Sequence, residues 1–164
     1  MATLILLRHA KSDWHGGDPD RDRPLSPRGR RAAATVGRFL ARLGELPDTA
    51  LTSPATRAKE TLRLAMEAGA WTCPTHESER LYGEGVDGLL AEVSAEASST
   101  RVLLAVGHEP TWSEAVAVLT GGTEVRMPTA AAACIDFGDT PWSQVRGGSG
   151  VLGWLVTPRL LERL

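Results

Sequence analysis

An arginine and a histidine, Arg8 and His9, directly follow the apolar run LILL at residues 4–7. Both side chains are costly to bury without partners, so two interpretations stay open at this point. The pair is either a charged strand end that faces water or the floor of a site where an imidazole reacts beside a guanidinium. A histidine at a strand end is more often solvated or hydrogen-bonded than nucleophilic. The catalytic interpretation therefore requires further residues at the same place.

Two further segments place such residues where a strand gives way to a loop or a helix. SPATR, at residues 53–57, opens a predicted helix with Arg57 in its first turns, and GHEP, at residues 107–110, puts His108 after a buried strand. In open α/β sheets, ligands bind at the carboxyl ends of the strands, and helix N-termini there favour anions. Two arginines and two histidines at that edge favour a phosphoryl group, because a planar guanidinium pairs with two phosphate oxygens.

Other chemistries fit these residues less well. A metal site would use the two histidines as ligands, but the neighbouring arginines oppose a dication, and no HxH, HExxH or clustered Cys/His spacing occurs. A serine nucleophile at Ser12 or Ser53 lacks the GxSxG elbow. Arg57 also has an ordinary alternative as a helix-surface charge paired with Glu60. We therefore predict no metal and take a phosphoryl site as the main hypothesis.

The elements that position these residues follow from apolar periodicity and capping signals. Strands are predicted at residues 2–8, 49–52, 101–106, 131–137 and 151–156. Helices are predicted after Ser26-Pro27 (ending at Gly44), after Ser53-Pro54, over residues 86–97, and at a capping box of Thr111 and Glu114. The alternation predicts an α/β fold with a mostly parallel central sheet, completed by an antiparallel edge from the last two strands.

Length and charge limit the remaining possibilities. With 164 residues, the chain is expected to form a single domain over residues 1–164. The 18 basic and 20 acidic residues nearly cancel, which gives no support for a nucleic-acid surface or a polybasic membrane anchor. No segment resembles a secretory signal or a membrane span. Cys73 and Cys134 stand apart without a CxxC partner, so we expect a reducing cytoplasm.

Four short motifs together resemble a known family. LLRHAKSDW, DRPLSPRG, SPATRAKET and VGHEP occur in the order and spacing of the histidine phosphatase superfamily, and most closely resemble its short SixA-like phosphohistidine phosphatases. The resemblance spans residues 3 to about 137. It implies a three-layer α/β/α fold of the phosphoglycerate mutase type and a phosphatase that needs neither a metal nor another cofactor.

The resemblance also implies roles for individual residues. His9 matches the nucleophile that forms a transient phosphohistidine, while Arg8, Arg57 and His108 match the phosphate pocket. Such a nucleophile must be a neutral imidazole, so we expect its other nitrogen to donate to a backbone carbonyl or a similar acceptor. Two neighbours of Arg57 that match the same motif, Ser53 and Thr61, are expected to cap the helix and pack its first turns.

Two departures from the family pattern bear on the substrate. His15 stands where mutase-like members carry an asparagine, and we favour a loop role for it over a phosphate contact. The general acid of larger members has no clear counterpart; Glu84, Asp20 and Asp22 are the candidates. A phosphoramidate such as phosphohistidine leaves more readily than an alkoxide once its nitrogen is protonated, so a missing acid favours P–N substrates.

These considerations lead to one main prediction and two alternatives. The main prediction is a phosphatase for phosphohistidine on a signalling or phosphotransfer protein, such as a histidine phosphotransfer domain. A small-molecule phosphomonoesterase of the same superfamily and a non-catalytic phosphate-binding module remain the alternatives, and a mutase is less favoured. The sequence does not distinguish a phosphorylated protein from a small phosphorylated substrate.

Overall fold

A six-stranded sheet forms the centre of the protein. The computed structural model describes residues 1–164, and the strand order across the sheet is β3-β2-β4-β1-β5-β6. The strands are β1 (Thr3–Arg8), β2 (Thr49–Thr52), β3 (Thr75–Glu77), β4 (Val102–Gly107), β5 (Ala132–Asp136) and β6 (Val151–Val156). The first four are parallel, whereas β5 pairs antiparallel with both β1 and β6. The predicted mostly parallel sheet with an antiparallel edge is confirmed.

Helices cover both faces of the sheet. They are α1 (Pro27–Leu43), α2 (Thr56–Gly69), α3 (Arg80–Gly83), α4 (Gly85–Ser94), α5 (Thr111–Thr120) and α6 (Pro158–Leu161). Because side chains alternate along a strand, Leu4 and Leu6 join the core beneath α4 and α5, whereas Ile5 and Leu7 join the core beneath α1 and α2. The two cores make the three-layer α/β/α arrangement that the sequence predicted. No helix combines the length and apolar character that crossing a membrane requires.

Some elements differ from the prediction. Strand β3 and helices α3 and α6 were not predicted, and helix α4 ends at Ser94 rather than at Ala97. All three residues of β3 are exposed at the sheet edge, so they carry no apolar pattern that would reveal a strand. A four-residue helix such as α3 is likewise too short to show a 3.6-residue period.

The N-terminal caps of the helices were predicted correctly in one case and wrongly in two, whereas α1 ends at Gly44 as predicted. Ser26 caps α1, because its hydroxyl accepts a 3.1 Å hydrogen bond from the backbone N–H of Gly29. Neither Ser53 nor Thr111 is an N-cap. The N-cap residue of α2 is Ala55 and that of α5 is Pro110, and neither makes a capping hydrogen bond with its side chain. At α5 the Glu109 carboxylate replaces the predicted capping box by accepting from the Ser113 backbone N–H (2.7 Å) and hydroxyl (2.7 Å).

A buried tryptophan fixes the two strand ends that carry the candidate site. The Trp112 indole N–H donates to the carbonyl of Leu7 (3.1 Å) in β1 and lies 3.3 Å from the carbonyl of Ala105 in β4. Its ring also packs on Gly107, where a Cβ atom would come within 2.4 Å of the ring. Only glycine fits there. Because β1 and β4 also pair in parallel with Arg8 opposite Gly107, Arg8 and His108 lie at the same edge of the sheet.

Candidate functional site

The four residues that the sequence singled out lie in one cavity. Arg8, His9, Arg57 and His108 line a space of about 530 Å³ at the carboxyl ends of the parallel strands. The rings of His9 and His108 are 5.1 Å apart, centroid to centroid. The edge of the sheet therefore gathers two guanidinium groups and two imidazoles around a common space.

The hydrogen bonds of His9 fix its tautomer. Its Nδ1 lies 2.7 Å from the carbonyl oxygen of Ala10, which only accepts, so Nδ1 carries the proton. In the neutral ring Nε2 is then unprotonated, and it accepts from the Arg57 Nε–H at 3.4 Å. Burial lowers the pKa of His9 to about 3, and the charges of His108, Arg57 and Arg8 lower it further. The hydrogen bond to the Ala10 carbonyl favours the protonated ring and opposes this shift in the pKa only in part. The backbone acceptor expected for the His9 ring is present in the Ala10 carbonyl.

A threonine on α2 links the His9 segment to Arg57. The Thr61 hydroxyl accepts from the Ala10 backbone N–H at 2.9 Å and donates to the Arg57 carbonyl at 2.7 Å. Thr61 is fully buried, so both bonds are shielded from water. The residue thus sets the separation between the loop after β1 and the first turn of α2, in addition to the packing role that was expected of it.

His108 has a complementary arrangement. The Nδ1 of His108 lies 3.3 Å from Arg57 Nη2, which only donates, so Nδ1 is the acceptor. In the neutral ring the proton is then on Nε2, which donates to the Ser53 hydroxyl at 2.8 Å. Burial, and then the charge of Arg57, lower the pKa of His108 to about 4. The Ser53 hydroxyl also accepts from the Ala55 backbone N–H at 3.1 Å, so this serine orients His108 rather than capping α2.

Arg8 keeps part of its hydrogen-bonding capacity free. Its Nη1 donates to the Met127 carbonyl at 2.9 Å, while the Nε–H is buried without any acceptor. Native proteins rarely leave such a donor unpaired. Burial lowers the pKa of Arg8, and the carboxylate of Glu109 opposes that effect.

Asp20 is the one candidate acid that lines the cavity. Its carboxylate accepts from Tyr82 Oη (2.5 Å), Arg57 Nη2 (3.2 Å) and Arg23 Nη1 (3.0 Å), and its backbone carbonyl accepts from Arg57 Nη1 (2.6 Å). The hydrogen bond from Tyr82, and then the charge of Arg57, lower the pKa of Asp20 to about 2 despite partial burial. Asp20 is therefore a carboxylate at neutral pH and holds Arg57 in place.

The other uncertain candidates lie elsewhere. Asp22 is exposed at the end of the 3₁₀ turn Asp20–Asp22, and Glu84 is exposed at the junction of α3 and α4. Neither lines the cavity, and nor does His15, which is exposed in the loop with its backbone N–H bonded to Asp13. No group of three or more His, Cys, Asp or Glu side chains is arranged to hold a metal ion.

Sequence reasoning missed two residues that organise the cavity, Tyr82 and Arg23. Both had a signal in the sequence. Tyr82 is the only tyrosine of the chain, and Arg23 lies in the DRPLSPRG motif. Their importance depends on contacts with Asp20, which is 62 positions away from Tyr82 along the chain.

The lowered histidine pKa values predict a loss of stability in mild acid. Below about pH 6.5 the unfolded chain binds protons at His9 and His108, whereas the folded chain does not until their pKa values of about 3 and about 4. The unfolded state then binds more protons than the folded state, so the free energy of unfolding should decrease as the pH is lowered from about 7 to about 5. We expect a slope of about 1 kcal/mol per pH unit for each histidine.

Urea denaturation from about pH 7 to about pH 5 measures this slope. A His9→Gln/His108→Gln double variant should show a much flatter profile over the same range, since glutamine does not titrate. The matched control is His15→Gln, which changes an exposed histidine outside the cavity and should keep the slope of the parent protein. Equal slopes in all three proteins would contradict the assignment of buried, neutral imidazoles.

Fold and cavity together define a class: α/β proteins with a cationic, histidine-containing pocket at the carboxyl ends of parallel strands. The chain belongs to the histidine phosphatase superfamily, whose branch 1 matches residues 4–87. Its relatives include an uncharacterized protein of Mycobacterium tuberculosis, 35% identical over 93% of this chain and 100% of the relative. An uncharacterized chloroplastic protein of Arabidopsis thaliana is 34% identical over 94% of this chain and 77% of the relative.

Solved structures agree with this assignment. A candidate phosphohistidine phosphatase SixA from Nakamurella multipartitia superposes with a TM-score of 0.81 at 30% identity, over 96% of each chain. A protein histidine phosphatase SixA complexed with tungstate has the same fold, with a TM-score of 0.84 at 22% identity, over 97% of this chain and 99% of that one. The phosphoglycerate mutase-like fold and the SixA-like character are thereby confirmed, and the family supports phosphatase activity.

Proposed function

We propose that the protein is a metal-independent phosphatase that works through a phosphohistidine intermediate on His9. The observation that carries the proposal is the 2.7 Å contact between His9 Nδ1 and the Ala10 carbonyl, because it leaves Nε2 unprotonated inside a cavity lined by arginines. A neutral imidazole nitrogen with a free electron pair is the form that attacks phosphorus. The lowered pKa of His9, about 3, keeps that form populated at neutral pH.

The reaction consists of two displacements at phosphorus. In the first, the bond from His9 Nε2 to phosphorus forms as the bond from phosphorus to the leaving atom breaks. The leaving atom keeps the bonding electron pair: an imidazole protonated on its other nitrogen departs neutral, whereas an oxygen leaving group needs a proton from an acid. In the second, the oxygen of water bonds to phosphorus as the bond from phosphorus to His9 Nε2 breaks, His9 regains its electron pair, and the protons of the water pass to the departing phosphate or to solvent. Arg8, Arg57 and His108 line the cavity around this nitrogen and hold the phosphoryl oxygens, whose charge the fixed guanidinium groups stabilise.

We propose phosphohistidine on a protein as the substrate. Among the three acids proposed from the sequence, only Asp20 lines the cavity, and with a pKa of about 2 it has no proton to give at neutral pH. The other carboxylate of the lining, Glu109, accepts hydrogen bonds from Ser113 in the first turn of α5. An imidazole leaving group titrates near neutral pH and brings its own proton, whereas an alkoxide requires one from the protein. The SixA proteins that share this fold carry the same activity in their names.

The expected partner is a histidine phosphotransfer domain or a similar phosphorylated protein. The rim of the cavity carries exposed side chains, among them Trp14 and Lys11, so a protein surface has access to it. We assign the activity to the cytoplasm, because Cys73 and Cys134 are both free thiols and suit a reducing compartment.

A comparison of substrates tests the proposal. We expect kcat/KM for a phosphohistidine-bearing phosphotransfer domain to exceed that for phosphoserine by at least about tenfold, since each factor of ten needs only a modest difference in leaving-group stabilisation. Faster turnover of the monoester would instead favour the small-molecule phosphomonoesterase. Absence of turnover on both, with phosphate still bound, would identify a non-catalytic phosphate-binding module.

A further inference from the structure

One large apolar side chain stands exposed at the rim of the catalytic cavity. Trp14 is 67% exposed and lines the cavity, whereas none of the other exposed large hydrophobic residues does so. An exposed indole is unfavourable in water and becomes favourable when a flat partner covers it. Trp14 and His9 line the same cavity, so a substrate whose phosphoryl group lies at His9 has the indole in the same space.

The ring is held by a buried arginine. The Arg23 guanidinium carbon lies 3.5 Å from the centre of the Trp14 ring, which is the distance of a stacked contact. Arg23 itself is only 7% exposed, and its Nε donates to the Ser12 hydroxyl at 2.9 Å. One face of the indole is therefore covered by Arg23, while 67% of the residue stays exposed and open to a ligand.

The same arginine connects the ring to the phosphate pocket. Arg23 Nη1 donates to Asp20 at 3.0 Å, and the other oxygen of that carboxylate accepts from Arg57 Nη2 at 3.2 Å. Backbone pairing supports the arrangement, because the Asp13 N–H donates to the Pro24 carbonyl at 2.8 Å, beside both Trp14 and Arg23. The indole is thus positioned relative to Arg57 by a continuous set of contacts.

We propose that Trp14 is the leaving-group platform of this phosphatase, and that it selects substrates whose phosphorylated group is a flat ring, such as the imidazole of phosphohistidine. The inference rests on the proposed function and deepens it. A planar leaving group stacks on the indole while its phosphoryl group lies among Arg8, Arg57 and His108. A small aliphatic leaving group such as that of ethyl phosphate has no flat face to place on the ring.

Two non-hydrolysable probes test the platform without relying on turnover. Phenylphosphonate carries a flat ring on phosphorus, and methylphosphonate carries only a methyl group. Trp14→Ala should weaken binding of phenylphosphonate by about five- to tenfold while leaving methylphosphonate binding unchanged, and Trp14→Phe should restore most of the loss. The control is Val151→Ala, which changes a residue that is 69% exposed and remote from the cavity; it should affect neither probe.

Turnover supplies the second measurement. We expect Trp14→Ala to raise KM for phenyl phosphate by about five- to tenfold with kcat little changed, and to leave both parameters for ethyl phosphate unaltered. Equal losses on both members of either pair, or no loss on the aromatic member, would overturn the platform. If the parent protein hydrolyses nothing, the proposed function fails, but the two phosphonates still decide the role of Trp14.

Discussion

Replacing His9 with alanine is expected to lower kcat by at least about a thousandfold on every phosphorylated substrate, because it removes the atom that forms the covalent intermediate. Phosphate binding should persist, since Arg8, Arg57 and His108 still line the cavity. The cavity holds a second histidine, His108, whose Nε2 donates to Ser53 and whose Nδ1, like His9 Nε2, accepts from Arg57. The His9→Ala variant therefore also tests whether His108 can replace the nucleophile.

The covalent intermediate provides a direct measurement. When the parent protein is quenched within a turnover of ³²P-labelled substrate, label should remain on the chain in an acid-labile form, which is the signature of a phosphoramidate. His9→Ala should retain no label, and His15→Ala should behave like the parent protein because His15 is exposed and outside the cavity. Label on His9→Ala, or full activity in that variant, would exclude His9 as the nucleophile.

The sequence was informative where local pattern and position determine structure. The run LILL predicted β1 because it is buried on both faces, with Ile5 and Leu7 in one core and Leu4 and Leu6 in the other. Since parallel strands end at one edge, the placement of His9 and His108 followed from their positions at the ends of β1 and β4. Their location at the same edge of the sheet was therefore predictable, whereas their adjacency depends on the pairing of β1 with β4, which the sequence did not predict.

Contacts between distant segments were not predictable in the same way. Asp20, Asp22 and Glu84 were equal candidates in the sequence, and only the folded arrangement of the loop and α3 brings Asp20 beside Tyr82. The capping prediction at Ser53 failed for a related reason. A serine before a proline is a common N-cap, but here its hydroxyl accepts from Ala55 and from His108, a residue 55 positions away.

Replacing Arg57 with lysine is expected to lower kcat/KM by about a hundred- to a thousandfold, although the charge is kept. The guanidinium contacts His9 Nε2 (3.4 Å), His108 Nδ1 (3.3 Å) and both the carbonyl and the carboxylate of Asp20 (2.6 and 3.2 Å). A lysine ammonium is a single point of charge and does not reproduce this fork. Steady-state kinetics with phosphohistidine and phosphoserine substrates measures the loss.

The matched control is Arg63→Lys, six residues further along α2 on its exposed side, where the guanidinium pairs with Glu67 at 3.1 Å. That pair is exposed, so the change should leave activity and stability almost unaltered. A loss for Arg57→Lys no greater than that of the control would show that charge alone, without the forked geometry, serves the phosphate pocket.

The Asp20→Asn variant tests whether Asp20 positions Arg57 or donates a proton to the leaving group. Asparagine keeps the backbone carbonyl that accepts from Arg57 Nη1 but removes the carboxylate, so we expect a loss of about tenfold, smaller than that of Arg57→Lys. The loss should be equal for phosphohistidine and for phosphoserine if Asp20 only positions Arg57. A much larger loss on phosphoserine would identify Asp20 as the proton donor for oxygen leaving groups, and the argument for a nitrogen leaving group would then no longer hold.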